Sequence, residues 1–263
     1  MVHHLAAAVL GIVEGVTEFL PISSTGHLIV AADLLNFSSA AAFEIIIQLG
    51  AVIAVVWFYR QALLEQARQL PHDRSIQHFW LAIVLAFIPA AVVGLLLSDY
   101  IERVLFSPQV VAVSLIVGGI VLWIVEAISK QPTTYEATQI TIRQALIVGF
   151  AQLTALIPGV SRSGATIVGG LLSGLDRPAA TSFSFYLAMP TLGAATVYSL
   201  VKDIGTISGA GFIDLGIGLV VSFITALLAI GWLLRYIAKH DFRGFAVYRI
   251  VVGVIILLIF EWR

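Results

Sequence analysis

Six apolar runs decide what this chain can become. They lie near residues 43–59, 76–98, 110–128, 181–200, 213–234 and 246–262, and each approaches the roughly 20 residues that cross a bilayer as helix. Only 11% of the residues are charged, against about 25% in soluble domains. The runs are continuous rather than alternating, which excludes a transmembrane barrel and predicts an all-α integral membrane protein. With no cysteine there is no disulfide, no thiolate nucleophile and no thiolate metal site. A net charge of -1 without a basic cluster leaves no footprint for nucleic acid. The opening MVHHLAAAVLG lacks a positive region and a cleavage site, and Glu14 interrupts the stretch behind it, so these residues read as part of the mature fold.

The chain echoes itself. GIVEGVTEFLPISSTGHLIV (11–30) aligns with GFAQLTALIPGVSRSGATIV (149–168), matching Gly11 with Gly149, Ser23 with Ser161 and Gly26 with Gly164. Further on, Phe43 pairs with Phe183, Phe87 with Phe223 and Glu126 with Glu261, in the same order. This predicts two repeats, about 1–130 and 140–263, within a single transmembrane domain. Each holds a polar segment interrupted by proline and glycine, followed by three ordinary spans. If the interrupted segment dips in and returns, each half crosses three times and the second half is inverted. The expected fold is therefore two inverted-topology repeats, each a re-entrant helix-loop-helix plus three transmembrane helices.

Charge supports that topology. It gathers Arg60, Arg68, Arg74, Lys130, Arg143, Arg177, Arg235, Lys239 and Arg243 on one side, leaving Arg103, Lys202 and Arg263 on the other. By the positive-inside rule the rich side is cytoplasmic, and both termini and the mouth of the first interrupted segment face outward.

The interrupted segments carry the chemistry. Glu14 and Glu18 are four apart, one helical turn on one face. Ionised carboxylates at membrane depth cost at least about 2.5 kcal/mol each and call for a function or a partner. Their hard oxygens suit Mg2+ or Ca2+; the competing reading is a wet, interfacial pair. Pro21 ends the helix, and Ser23, Ser24, Thr25 and Gly26 then form the kind of helix start that accepts an anion. His27 adds a group that titrates near neutrality. In the second half Ser24 becomes Arg162, while Glu14 and Glu18 become Gln152 and Leu156. Ser161, Ser163, Gly164 and Thr166 add donors there, and the Arg162 fork suits phosphate oxygens, unless it is a buried structural partner of Glu14 or Glu18. Two anion subsites bridged by a divalent cation describe a diphosphate site. Its membrane depth implies that the diphosphate arrives on a lipid. GVSRSG is not a nucleophile elbow, because Ser163 stands where the last glycine belongs.

EGVTEFLPISSTGH and PGVSRSGAT, with IQLG at 47–50, resemble the bacitracin-resistance type of undecaprenyl-diphosphate phosphatase over essentially the whole chain. The resemblance implies a bacterial inner-membrane enzyme with its site open to the periplasm, cleaving undecaprenyl diphosphate to the monophosphate and recycling the carrier for cell-wall synthesis. It makes Glu14 and Glu18 the metal-associated pair, Ser24 and His27 the reactive residues, Arg162 the phosphate clamp, and Ser161 and Thr166 phosphate contacts. The favoured step is in-line attack at the terminal phosphorus by His27 or by water that His27 activates, with Ser24 as the alternative nucleophile; the sequence does not choose among them. A reading from another class is a polyprenyl-phosphate flippase or anion carrier on the same repeat.

Other conspicuous residues read as architecture. Trp57, Tyr59 and Arg60, like Trp262 and Arg263, suit an interfacial anchor. Tyr248 and Arg249 suit snorkelling from the last span. Gly118 and Gly119 suit internal packing and a homodimer face equally.

Overall fold

The computed structural model describes residues 2–35, 37, 41–128, 131–203 and 212–261. Lys130, Trp262 and Arg263 lie outside the described residues, as do the side chains of Lys202 and Glu261. Eleven α-helices are described: α1 (Val2–Thr17), α2 (Ser24–Leu34), α3 (Ala41–Phe58), α4 (Arg60–Gln69), α5 (Arg74–Tyr100), α6 (Pro108–Ile128), α7 (Ile142–Gln152), α8 (Arg162–Ser173), α9 (Arg177–Asp203), α10 (Phe212–Ile237) and α11 (Arg243–Glu261). No β-strand is named among the described residues. The protein is an all-α integral membrane protein.

The six apolar runs fall on α3, α5, α6, α9, α10 and α11. Five of these are long and apolar enough to cross a bilayer by themselves; α3 does so with α4, to which it is bent by 62°. The bend comes where Trp57, Tyr59 and Arg60 were expected to anchor. The Arg60 guanidinium stacks 4.7 Å from the Trp57 ring centroid and donates to its carbonyl. α4 is polar, and its Gln66 donates to the Tyr186 hydroxyl of α9. Local signals start the neighbouring helices. Asp73 caps α5 by accepting from the Ser75 hydroxyl and amide, which together hold its exposed carboxyl below the usual range. Thr141 and Gln144 form a capping box on α7.

α1 and α2, and likewise α7 and α8, are short helices on either side of a break. α1 packs on α10, and α7 on α5; α3 packs on α9 and α10, and α6 on α11. Both crossings of a short helix need a glycine. A Cβ at Gly11 would stand 2.7 Å from the Gly218 carbonyl, and one at Gly149 would stand 2.6 Å from that of Ala86. Gly119 serves the α6–α11 crossing in the same way, where a Cβ would come 2.8 Å from the Ala246 carbonyl. The Gly118–Gly119 pair is thus used inside the chain.

Hydrogen bonds identify the two ends of the bundle. At one end the Glu126 carboxylate of α6 accepts from Arg177 at the start of α9 and from the Phe242 amide just before α11. At the other, His4 of α1 pairs with Asp214 of α10. Between them a large core includes Phe19, Phe79, Phe183 and Phe185.

Candidate active site

The first break begins where Glu18 N–H makes its last helical bond to the Glu14 carbonyl, at 2.9 Å. Pro21 cannot continue the ladder, and the chain turns at Ser23 with φ 69°. The second break passes through Pro158 and Gly159 and turns at Ser161 with φ 72°. Among the described residues these serines are the two non-glycine residues at positive φ. Such a conformation costs about 1–3 kcal/mol and persists only when its surroundings hold it.

Two clamps do the holding. Ser163 Oγ donates to the Leu20 carbonyl at 2.8 Å, bonding one break to the other. Arg249 does more. It is 1% exposed, and it donates to the Pro21 carbonyl of the first break (3.2 Å) and to the Val160 (2.7 Å) and Gly159 (3.3 Å) carbonyls of the second. The Ser114 and Leu115 carbonyls of α6 complete its shell. Snorkelling is therefore the wrong account of Arg249: its head lies at the centre of the protein. A side chain at Gly118 or Gly164 would collide with it. We expect Arg249→Met to orphan the Pro21, Gly159 and Val160 carbonyls and destabilise the protein by roughly 3 kcal/mol, at about 1 kcal/mol for each acceptor left dry. Thermal unfolding in detergent measures it, and an unchanged melting temperature would refute the clamp.

The breaks meet at the polar end of a cavity of about 710 Å³. Glu18, Ser23, Ser24, Thr25, Ser161 and Arg162 line it there, joined by Gln48 of α3, Gln152 of α7 and Thr191 of α9. Ser24 Oγ donates to Glu18 Oε2 at 2.6 Å, and Arg162 Nη2 donates to Glu18 Oε1 at 3.2 Å. Nη1 of Arg162 reaches the Ser184 carbonyl at 3.1 Å. Its Nε is buried without a hydrogen-bond partner, as is Nε2 of Gln152. The remaining walls are mostly apolar, from Phe87, Ala90, Ala91 and Leu95 of α5 and Leu192, Ala195 and Val197 of α9, with Ser98, Tyr198 and Ser199 the polar residues among them.

Other residues expected at the site do not line this cavity. Thr166 hydrogen-bonds to Ser184 Oγ and the Arg162 carbonyl, bracing the arginine from behind. Gly26 lies against Leu115, and Gly164 against Arg249. Ser161 both lines the cavity and caps α8, accepting from the Gly164 amide at 3.1 Å. His27 faces Tyr248, with both ring nitrogens engaged. Ser184 and Thr191 carry no motif that would single them out, whereas Gln48 lies in IQLG and Gln152 is the repeat counterpart of Glu14. Arg249 did give a signal, a lone charge inside an apolar run.

Glu14 is 2% exposed and lies one turn behind Glu18; Glu18, Glu44 and Arg162 are the charged groups that act on it. Among the described residues no three acidic or histidine side chains gather into a metal cage. Mg2+, however, commonly binds through one or two carboxylates and completes its shell with substrate phosphates. A buried pair one turn apart beside a cavity fits that mode.

The family model described as bacitracin resistance protein BacA matches residues 7–255. The chain belongs to the BacA family. It is 48% identical to undecaprenyl-diphosphatase 3 of Acinetobacter baylyi, over 96% of either chain. It is 48% identical to the undecaprenyl-diphosphatase of Deinococcus radiodurans, over 97% of this chain and 94% of that protein. With that of Deinococcus deserti the figure is 49%, over 96% and 94%.

Proposed function

We propose that this protein hydrolyses undecaprenyl diphosphate to undecaprenyl phosphate and inorganic phosphate. The observation that carries it is a serine hydroxyl bonded to a buried carboxylate beside an arginine, at the polar end of a cavity whose other walls are mostly apolar. A diphosphate on a prenyl chain matches both ends of such a cavity. The BacA family and the names of the relatives point to the same reaction.

In the step the geometry favours, Ser24 Oγ attacks the terminal phosphorus as its proton passes to Glu18. The bond to the bridging oxygen breaks, and lipid monophosphate leaves. Water then attacks the phosphoserine, the proton returns to Ser24, and inorganic phosphate departs. Arg162 stabilises the charge that develops on the phosphoryl oxygens. Glu14 and Glu18 would hold a divalent cation, Mg2+ or Ca2+, which supplies further charge neutralisation when bound. His27 has no free nitrogen for attack in this arrangement, so we assign it to the scaffold of the break.

The inverted repeat, about 1–130 and 140–263, is part of the same reading. Ser23 and Ser161 share an unusual backbone conformation at matching positions. The packing of α1 on α10 is mirrored by that of α7 on α5. The positively charged end, which holds Arg177, is then cytoplasmic, and both termini and the cavity mouth face the periplasm. The site draws on one chain, so the reading needs no homodimer.

The test is phosphate release from a polyprenyl diphosphate by purified protein in detergent, with added Mg2+ or Ca2+ and with a chelator. Protein that moves labelled lipid across vesicles yet releases no phosphate would make it a flippase.

A further inference from the structure

Tyr248 and Arg249 are consecutive on α11, and between them they grip the first break on both sides. Arg249 holds the Pro21 carbonyl directly. Tyr248 reaches the Ser23 carbonyl through His27. His27 Nδ1 lies 2.7 Å from that carbonyl oxygen; a carbonyl only accepts, so Nδ1 carries the proton. The neutral ring then accepts at Nε2 from the Tyr248 hydroxyl, 2.8 Å away. The two rings lie within 1° of parallel, their centroids 5.5 Å apart.

Ser23 needs such a hold. Its positive φ is kept only under constraint, and it lacks the bond that steadies its counterpart. Ser161 Oγ accepts from the Gly164 amide, whereas Ser23 makes no side-chain cap on α2. The carbonyl that His27 holds belongs to the peptide leading directly into Ser24.

We infer that Tyr248 is a positioning residue for the reaction at Ser24. Its hydroxyl fixes the His27 ring, the ring fixes the Ser23 carbonyl, and that carbonyl fixes the serine hydroxyl against Glu18. The inference rests on the hydrolase reading with Ser24 as the attacking group. It also assigns His27 a geometric task, which an amide of the right reach can replace: Asn presents a donor near the place of Nδ1, and Gln near that of Nε2.

The experiment measures kcat and KM for phosphate release from a polyprenyl diphosphate with wild-type protein, Tyr248→Phe, His27→Asn, His27→Gln and the Tyr248→Phe/His27→Asn double variant. Tyr248→Phe is expected to lower kcat by about threefold to tenfold, the worth of one neutral hydrogen bond, with KM within about twofold of wild type. His27→Asn keeps more kcat than His27→Gln, and adding Tyr248→Phe to it lowers kcat no further. A wild-type kcat in Tyr248→Phe, an effect confined to KM, or effects that multiply in the double variant would overturn the inference and leave the hydrolase reading standing. Absence of phosphate release from the wild-type protein would overturn both.

Discussion

Ser24→Ala loses phosphate release almost entirely, with kcat down by on the order of 10⁴-fold, the scale seen when a nucleophile is removed from a coupled catalytic unit. The hydroxyl is 2.6 Å from Glu18 Oε2, within reach for proton transfer. KM stays close to wild type, because Arg162, Ser161 and the apolar walls remain. Glu18→Gln retains the shape but cannot take the proton, and loses about 10²–10⁴-fold. On the proposed mechanism the two residues act as one unit, so the double variant is expected to be no slower than Ser24→Ala alone. Losses that multiply would mean that Ser24 and Glu18 serve separate steps.

Arg162→Ala also has a large effect, and it divides into two parts. The pair with Glu18 is buried, at 9% and 6% side-chain exposure. Removing the arginine strands a buried carboxylate, which destabilises by about 3–5 kcal/mol. On the proposed mechanism it also removes the donor that meets the developing phosphoryl charge, a loss of about 10²–10³-fold in kcat. The Arg162→Ala/Glu18→Gln double variant separates them. Thermal unfolding moves back toward wild type once the stranded charge is gone, while turnover stays at the floor. An Arg162→Ala protein that stays folded at the assay temperature and turns over at the wild-type rate would make Arg162 a purely structural partner of Glu18. Lysine is a poor substitute at this position, since Arg162 reaches Glu18 with one guanidinium nitrogen and the Ser184 carbonyl with another.

The spans were legible because 20 continuous apolar residues have few other solutions. The breaks were legible because Pro21 and Pro158 each precede a run of serine and glycine, unlike Pro89 and Pro190, which lie inside α5 and α9. Ser24, Glu18 and Arg162 could be nominated for one site, since burying isolated charge demands a partner. Less could be read about direction. Ser163 and Thr166 carry hydroxyls in a phosphate-like motif, yet their hydroxyls go to the Leu20 carbonyl and to Ser184. His27 lies three residues from Ser24, but the turn at Ser23 sets the rotation of α2 and aims the ring at Tyr248. Arg249 sits close enough to the charged end of α11 to suggest snorkelling. Only the convergence of Pro21, Gly159 and Val160 around it reveals a central clamp. Such convergences join residues 89 to 228 positions apart, and no local pattern encodes them.

The most direct test of the central claim follows the transferred phosphoryl group. Protein turning over a polyprenyl diphosphate labelled at its terminal phosphorus is quenched in acid, which spares a phosphoserine ester and cleaves a phosphohistidine bond, and its peptides are mapped. The account predicts acid-stable label on Ser24. Label that survives only an alkaline quench and maps to His27 would contradict it.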